Sequence, residues 1–254
     1  MQIVAVQLNT AWEDRAPNHR RVRELLENLK LAEPALIILP EMFDVGFSMN
    51  VAATLQSEAR EAEQFLRDLA RTHNAAVLGG VISPDGNGQG KNEAVAFAPS
   101  GEELVRYRKM QPFTLSGEDQ AYGSGDSHQT FEWGGLKIAP FICYDLRFPE
   151  RFRPAARDGA ELIIVIACWP DVRSEHWVRL LQARAIENLA FTVGVNRCGT
   201  DPEHTFDGRS AAFDPMGEAL FEADPSEQIL ITELDVQQVR SWRSKFPALD
   251  DMRD

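Results

Sequence analysis

The sequence predicts an α/β protein in which helices pack on sheets of mixed strand direction. Strand-length apolar runs alternate with amphipathic helical patterns along most of the chain, as in layered α/β proteins. The run LIIVIA at residues 162–167 is apolar throughout, which is typical of a strand buried on both faces. The cluster Pro99-Ser100-Gly101 separates two strand-like runs, and so short a connection joins antiparallel strands. We therefore expect both parallel and antiparallel pairing.

Each element follows from its own local pattern. Runs rich in β-branched and other apolar residues predict strands at residues 3–7, 36–39, 75–82, 93–98, 104–108, 136–142, 162–167, 191–196, 210–213 and 228–234. Apolar residues at three- and four-residue spacing predict helices at residues 17–31, 57–73, 149–158 and 174–188. Ser57 is a suitable N-cap for the second helix, and Pro149 stands where the third has its first position.

We expect a single domain over residues 1–254, with residues 236–254 as a C-terminal tail. The chain has no internal repeat, low-complexity segment or long polar linker that would divide it. In the tail, Val239, Trp242 and Phe246 recur at helical spacing. This pattern predicts a helix that packs either on a partner subunit or on the protein's own core.

The charge balance excludes several classes of partner. The 254 residues carry 26 Lys and Arg against 39 Asp and Glu, a formal net charge of −13. Such a protein repels the phosphate backbone of nucleic acids and anionic membrane surfaces. No segment approaches the roughly 18 consecutive apolar residues that a membrane span needs. We expect neither nucleic-acid nor membrane partners.

The cysteines suggest a reducing compartment. Cys143, Cys168 and Cys198 are odd in number and lack the spacing of a disulfide framework or a metal-binding pair. The chain opens MQIVAVQLNT, which has no basic segment followed by a long apolar stretch. Free thiols and the absence of a leader pattern predict a cytoplasmic protein.

The sequence lacks the motifs of several common catalytic and cofactor-binding sites. The five histidines show none of the spacings that hold zinc, so we expect no metal site. No GxSxG motif is present for a serine nucleophile. The glycines at 86, 88 and 90 resemble a dinucleotide fingerprint only loosely, because a strand rather than a helix follows them.

Three residues of complementary chemistry follow predicted strands. Cys143 ends one strand just before the helix at Pro149, where a thiol is exposed at the sheet edge and backbone N–H groups can meet an oxyanion. Glu41 follows the buried run Leu36 to Pro40, where a carboxylate can transfer protons in a partly desolvated cleft. Lys109 ends a third strand. Taken singly, Cys143 could instead be a buried core cysteine, Glu41 a solvated loop glutamate and Lys109 a solvent-facing lysine. Cys168 and Cys198 fit packing roles.

These residues lie in motifs that resemble a known family. LPEMF around Glu41, YRKMQPF around Lys109 and ICYDLRFPE around Cys143 are similar, in that order, to the signatures of the nitrilase or carbon-nitrogen hydrolase superfamily. The stretch from Trp169 to Arg197 resembles its omega-amidase branch. The resemblance implies a four-layer αββα sandwich and a homodimer or higher homo-oligomer. One departure is Pro140, which removes a ladder donor and predicts a bulge or an unpaired position.

The resemblance also implies roles for individual residues. Cys143 would be the nucleophile, Glu41 the general base and Lys109 the cation that stabilises the tetrahedral oxyanion. Glu118 matches the family's second glutamate and would orient Lys109 or the hydrolytic water. The backbone N–H of Tyr144 could share the oxyanion with Lys109. This chemistry proceeds through a thioester and needs no cofactor.

The substrate is predicted less directly. Arg147 and Arg173 carry guanidinium groups that could bind a substrate carboxylate, although Arg147 could instead pair with Asp145 or Glu150. A carboxylate site fits an omega-amide of a 2-oxo dicarboxylic acid, hydrolysed to acid and ammonia. Alternatives are a deaminated glutathione amidase and an N-carbamoyl amino acid hydrolase. From another class, the chain could be a catalytically idle module that binds a small metabolite.

Overall fold

The computed structural model describes residues 1–86 and 88–253 and contains two six-stranded sheets. The strands in chain order are β1 (Gln2–Gln7), β2 (Ala35–Ile38), β3 (Ala76–Pro84), β4 (Gly90–Phe97), β5 (Glu103–Arg108), β6 (Phe131–Trp133), β7 (Leu136–Ile142), β8 (Leu162–Ala167), β9 (Phe191–Asn196), β10 (Cys198–Thr200), β11 (Thr205–Asp207), β12 (Ala211–Phe213), β13 (Ala219–Glu222) and β14 (Gln228–Glu233). The helices are α1 (Arg15–Leu26), α2 (Val51–Thr54), α3 (Glu61–His73), α4 (Glu118–Ala121), α5 (Pro149–Arg157), α6 (Ser174–Asn188) and α7 (Val236–Lys245).

Both sheets mix parallel and antiparallel pairs, as the sequence predicts. The first sheet has the strand order β14-β1-β2-β3-β4-β5, and the second has the order β13-β12-β9-β8-β7-β6. The pairs β1-β2, β2-β3, β7-β8 and β8-β9 are parallel, while the strands toward the edges are antiparallel. Because β7 and β8 are parallel, their carboxyl ends meet at one edge of the second sheet.

Four layers result from the alternation of side chains along the strands. In β1, Ile3 and Ala5 belong to a buried cluster that also contains residues of the second sheet. The intervening Val4 and Val6 pack with α1 and α3 on the other face. Helices α5 and α6 bury apolar side chains against the second sheet. The order helix, sheet, sheet, helix confirms the αββα sandwich.

The helix ends differ from their predicted positions. Helix α1 spans Arg15–Leu26 rather than 17–31, and α3 begins at Glu61 rather than at Ser57. The backbone N–H of Ser57 donates to Glu61 Oε2 at 2.9 Å, and its hydroxyl also bonds the Glu61 carboxylate. Ser57 therefore contacts a side chain of the first turn, and the backbone N–H that its hydroxyl accepts, from Ala59 at 3.1 Å, lies before the helix rather than in it.

Pro140 is accommodated without a bulge. It pairs with Ile164 in the continuous parallel register of β7 and β8. On the other side of β7, the edge strand β6 pairs only as far as Ile138. The proline thus lies where β7 extends beyond its neighbour, so the predicted unpaired position is on that side and the predicted bulge is wrong.

The C-terminal segment packs on the protein's own core. Asp235 caps α7 by accepting the Gln237 N–H at 2.8 Å, and Val239 is fully buried in the core cluster. Phe246 remains 51% exposed. Asp254, the last residue of the predicted tail, lies outside the described residues. Within residues 1–86 and 88–253, no helix has the length and apolarity needed to cross a membrane.

Candidate active site

Glu41 follows β2 at a position that tight backbone packing defines. The next residue, Met42, has φ +45°, so the chain turns sharply beside the carboxylate. Gly80 of β3 donates its N–H to Pro40 O at 3.1 Å. A Cβ at Gly80 would lie 2.6 Å from Glu41 Cα and 2.5 Å from Met42 N. A glycine is therefore required here for β3 to approach the segment that carries Glu41.

Lys109 directly follows β5 and lies between two carboxylates. Its Nζ is 2.9 Å from Glu41 Oε1, and 2.9 and 2.8 Å from Glu118 Oε1 and Oε2. Glu118 is the first residue of α4 and also accepts the Phe113 N–H at 2.6 Å. All three charged side chains are at most 2% exposed. The first sheet and the segment after it thus provide a buried cluster of two acids and one base.

The cluster keeps Lys109 protonated. Burial by itself disfavours the ammonium, but the carboxylates of Glu118 and Glu41 outweigh burial and raise the pKa of Lys109 well above its ordinary value. Lys109 is therefore a fixed positive charge at neutral pH. Such a charge can stabilise an oxyanion without exchanging a proton.

Cys143 comes from the other sheet, at the carboxyl end of β7. It begins a 3₁₀ turn, Cys143–Arg147, and has φ +46°, which a residue with a side chain rarely adopts. Burial, reinforced by the charge of Glu41, raises the pKa of the Cys143 thiol well above its ordinary value, although Lys109 opposes the shift. The free site therefore holds a thiol rather than a thiolate, and attack by its sulfur requires a base.

An aromatic pocket of about 270 Å³ opens above Cys143. Its lining includes Tyr144, Arg147 and Arg173. Aromatic side chains form much of the remaining wall: Trp12, Phe47, Phe113, Trp169 and Phe206. A small ligand with an apolar body and an anionic end fits this distribution of residues.

The two predicted arginines line this pocket. Arg147 stacks over the Trp169 ring at 4.8 Å and contacts His176 Nδ1 at 3.0 Å. Arg173 lies over the Phe113 ring at 5.4 Å. Across residues 1–86 and 88–253, neither guanidinium forms an ion pair, so the alternative pairing of Arg147 with Asp145 or Glu150 is wrong. Asp145 instead accepts hydrogen bonds from Tyr107 and from two backbone N–H groups. Burial, and to a smaller extent the positive charge of Arg173, lowers the pKa of Arg147.

Two further residues at the site were not anticipated. Asn92, in β4, donates from Nδ2 to Glu41 Oε1 at 2.7 Å and to Glu118 Oε1 at 3.0 Å. Cys168 was expected only to pack, but it lines the pocket, and its backbone N–H donates to Glu41 Oε2 at 2.9 Å. Counting outward from the Pro99–Gly101 turn in the sequence places Asn92 opposite Arg108, and only the register shift between Ala96 and Phe97 moves it opposite Lys109.

Asp145 was considered only as a partner of Arg147, yet it supports the turn that begins at Cys143. Its Oδ2 accepts the Ile142 N–H at 2.9 Å and the Tyr107 hydroxyl at 2.6 Å, and its Oδ1 accepts the Gln111 N–H at 2.9 Å. Tyr107 lies on β5 two residues before Lys109. Asp145 therefore connects the turn after β7 to the strand that carries Lys109.

The hairpin of β10 and β11 forms a wall of the pocket that the sequence did not predict. Asp201, His204 and Phe206 line the pocket from this hairpin. Arg197 is fully buried beneath it, with its Nη2 donating to Thr10 O and Thr200 O at 3.0 Å each. These bonds attach the hairpin to the segment after β1.

The part of the chain that the structure describes contains no group of three or more His, Cys, Asp or Glu side chains arranged to bind a metal ion. The charged groups beside Cys143 instead bond one another and backbone N–H groups.

Comparison with known proteins gives consistent matches. A sequence model described as carbon-nitrogen hydrolase matches residues 2–244. The chain is 35% identical to the omega-amidase YafV of Yersinia enterocolitica, over 99% of this chain and 96% of that protein. It is 32% identical to the 2-oxoglutaramate amidase of Bacillus subtilis, over 89% of this chain and 92% of that protein. A structure of a carbon-nitrogen hydrolase superfamily protein from Xanthomonas campestris, with an arsenic adduct in its active site, superposes with a TM-score of 0.93 at 33% identity, covering 100% of this chain and 97% of that one.

Proposed function

Because the chain belongs to the carbon-nitrogen hydrolase family, we propose that it is a cysteine-dependent amidase that converts the terminal amide of a small carboxylated substrate to acid and ammonia. The observation that carries the proposal is the position of the Cys143 thiol, which lies beneath an aromatic pocket and is acted on by the charges of Glu41 and Lys109.

In the first half of the reaction, Cys143 Sγ attacks the amide carbon. Because the thiol is protonated at rest, Glu41 accepts its proton as the sulfur–carbon bond forms. The carbonyl electrons move to oxygen, and Lys109 with the Tyr144 N–H stabilises that charge. Glu41 returns the proton to the amide nitrogen as the carbon–nitrogen bond breaks, and ammonia leaves.

In the second half, water hydrolyses the thioester. Glu41, again a carboxylate, accepts a proton from the attacking water and later returns it to the thiolate of Cys143. Glu118 orients Lys109, as their two contacts at 2.9 and 2.8 Å support. The cycle uses side chains of this chain and no cofactor.

For the substrate we propose an omega-amide of a 2-oxo dicarboxylic acid. The guanidinium groups of Arg147 and Arg173 border the pocket and are free to bind the carboxylate at the far end of such a molecule. The names of the relatives, omega-amidase and 2-oxoglutaramate amidase, support the same class.

The test is ammonia release from a panel of omega-amides, neutral amides, deaminated glutathione and N-carbamoyl amino acids. We expect turnover of the carboxylated omega-amides and its loss in Cys143→Ala, with Cys198→Ala as a control for a buried cysteine outside the pocket. Activity that survives Cys143→Ala would disprove the nucleophile assignment. Binding of these compounds without ammonia release would identify a metabolite-binding module instead.

We also propose that the protein is cytoplasmic and forms a homodimer or higher homo-oligomer. Its three free cysteines are all buried, in keeping with a reducing compartment. Ile186, Met216 and Phe246 are about half exposed on the side of the molecule formed by α6, α7 and the turn after β12, and a second copy could cover them. Light scattering of wild type and Met216→Glu tests this: a monomeric wild type would contradict it.

A further inference from the structure

Asn92 lies between the two carboxylates that flank Lys109. Its side-chain nitrogen donates one hydrogen to Glu41 Oε1 and the other to Glu118 Oε1. Asn92 is 1% exposed, and its backbone carbonyl accepts the Lys109 N–H at 2.9 Å. The amide is thus fixed both to the strand that carries Lys109 and to the carboxylates on either side of it.

Lys109 bonds both carboxylates and keeps one N–H for a substrate. An ammonium group has three N–H donors, and Lys109 Nζ contacts Glu41 at one oxygen and Glu118 at both oxygens. The two oxygens of one carboxylate lie too close together to receive separate N–H groups of a tetrahedral ammonium, so they share one hydrogen, and the third N–H is available to an oxyanion. Movement of the ammonium toward an oxyanion lengthens its hydrogen bonds to the carboxylates. A buried carboxylate oxygen that loses a donor without replacement is costly.

We propose that Asn92 is the positioning residue that holds Glu41 and Glu118 in place while Lys109 stabilises the oxyanion. Both Oε1 atoms share two donors, Lys109 Nζ and Asn92 Nδ2, so the oxygen from which Lys109 turns away keeps a hydrogen bond. Glu41 then stays aimed at the thiol during proton transfer. This inference rests on the proposed amidase chemistry.

The unpaired end of the same amide supports this role. Asn92 Oδ1 is buried and has no hydrogen-bond partner in the described part of the chain. Exchanging the positions of Oδ1 and Nδ2 by rotating the side-chain amide would not remove the problem, because Oδ1 would then face two carboxylates. Leaving a buried acceptor unpaired is unfavourable, and the two hydrogen bonds that Asn92 donates offset this cost.

The first test replaces the amide with an apolar group of similar size. In Asn92→Leu both donors disappear together with the unpaired oxygen. We expect kcat for ammonia release to fall about 10- to 100-fold, as for the loss of other residues that orient catalytic groups, while KM changes less. Asn188→Leu is the matched control: Asn188 is also buried with an unpaired Oδ1, but its Nδ2 donates to Arg184 O at 2.9 Å on α6. This control should keep the wild-type kcat and pH profile.

A second variant gives a readout that a purely structural role would not change. Asn92→Asp places a third carboxyl group beside Glu41 and Glu118, and only a proton on this group removes the added charge. We expect the pH profile of kcat to move toward acid in Asn92→Asp, with activity partly regained as the pH falls.

Alkylation of Cys143 by iodoacetamide, followed by mass spectrometry of its peptide, adds a readout that needs no turnover. An added negative charge near the thiol should slow alkylation in Asn92→Asp relative to wild type and Asn188→Leu. Wild-type kcat in Asn92→Leu, a wild-type pH profile in Asn92→Asp, or equal alkylation rates in all three proteins would overturn the inference. A wild type that alkylates normally but hydrolyses no amide would instead refute the proposed function.

Discussion

The hydroxyl of Tyr107 donates to Asp145 Oδ2 at 2.6 Å and so joins the strand that carries Lys109 to the turn that carries Cys143. Tyr107 lies two residues before Lys109, and Asp145 lies two residues after Cys143. Both side chains are fully buried. This hydrogen bond therefore helps to fix the distance between the two halves of the site, together with the bonds from Gln111 N–H to Asp145 and from Cys168 N–H to Glu41.

The first prediction concerns the strength of this bond. Tyr107→Phe keeps the ring and removes the donor to an acidic group, so we expect a loss of about 1.5–3 kcal/mol in the free energy of unfolding. The matched control is Tyr122→Phe. The buried hydroxyl of Tyr122 donates to the neutral carbonyl of Ser48 at 2.5 Å, so its removal should lower the free energy of unfolding by only about 0.5–1.5 kcal/mol. Urea unfolding measures both, and an equal or reversed order would contradict the prediction.

The second prediction concerns pH. Burial raises the pKa of Asp145 from its ordinary 3.8 to about 6, even though Tyr107 and two backbone N–H groups oppose the shift. Between these values the folded protein keeps a proton that the unfolded chain has lost, so stability falls as the pH rises through this window. Two pH units correspond to about 3 kcal/mol.

Asp145→Asn removes this titration. The variant is expected to be less stable than wild type at pH 4, because one amide hydrogen faces the Gln111 N–H. The difference in free energy of unfolding between wild type and variant should shrink by up to about 3 kcal/mol at pH 8, because only the wild type loses stability as Asp145 ionises. Unfolding in urea at several pH values checks this, and a constant difference between the two proteins would show that Asp145 is not the group responsible.

The third prediction concerns the glycines of β3. Gly80→Ala forces a Cβ onto the backbone of Glu41 and Met42, so we expect kcat to fall about 10- to 100-fold from misplacement of the base. Gly79→Ala is the adjacent control, since its Cβ would approach the Leu66 side chain at 3.0 Å on the opposite face, where a side chain can move. Similar rates for the two variants would indicate that the position of Glu41 is not set by this contact.

The fourth prediction separates substrate binding from chemistry. Arg173→Ala should raise KM for carboxylated amides by about 10- to 100-fold, the loss of one charge-assisted hydrogen bond, and should leave KM for neutral amides nearly unchanged. Arg179→Ala, an exposed guanidinium on α6, serves as the control. Steady-state kinetics on both substrate types decide the matter, and equal losses would argue against a carboxylate contact at Arg173.

The strand-end residues were the part of the site that the sequence could predict. Glu41, Lys109 and Cys143 each follow a run whose apolar composition marks it as a strand, and the family motifs surround the same three positions. Their approach in space depends on two separate sheets. Local patterns carry no information about how two sheets face each other, so they could not show that Cys143 of the second sheet approaches Glu41 and Lys109 of the first.

Other features were missed because tertiary contacts decide them. Ser57 has the composition of an N-cap, yet it bonds the Glu61 side chain and the helix starts four residues later. The strands of the 198–207 hairpin are three residues each, too short for a periodic pattern to stand out. Asn92 looks like an ordinary polar residue at the start of a strand until its two carboxylate partners are seen.

The division of the site between the sheets has a consequence for how the protein tolerates change. Glu41, Asn92 and Lys109 lie on the first sheet or directly after its strands, and Cys143 and Cys168 directly follow strands of the second. A small slip of one sheet over the other would separate Cys143 from Glu41 while leaving every strand and helix intact. The rate of turnover therefore responds to the alignment of the two sheets more sensitively than any measurement of secondary structure. Substitutions in the core between the sheets, even far from the pocket, should first become visible as slower catalysis.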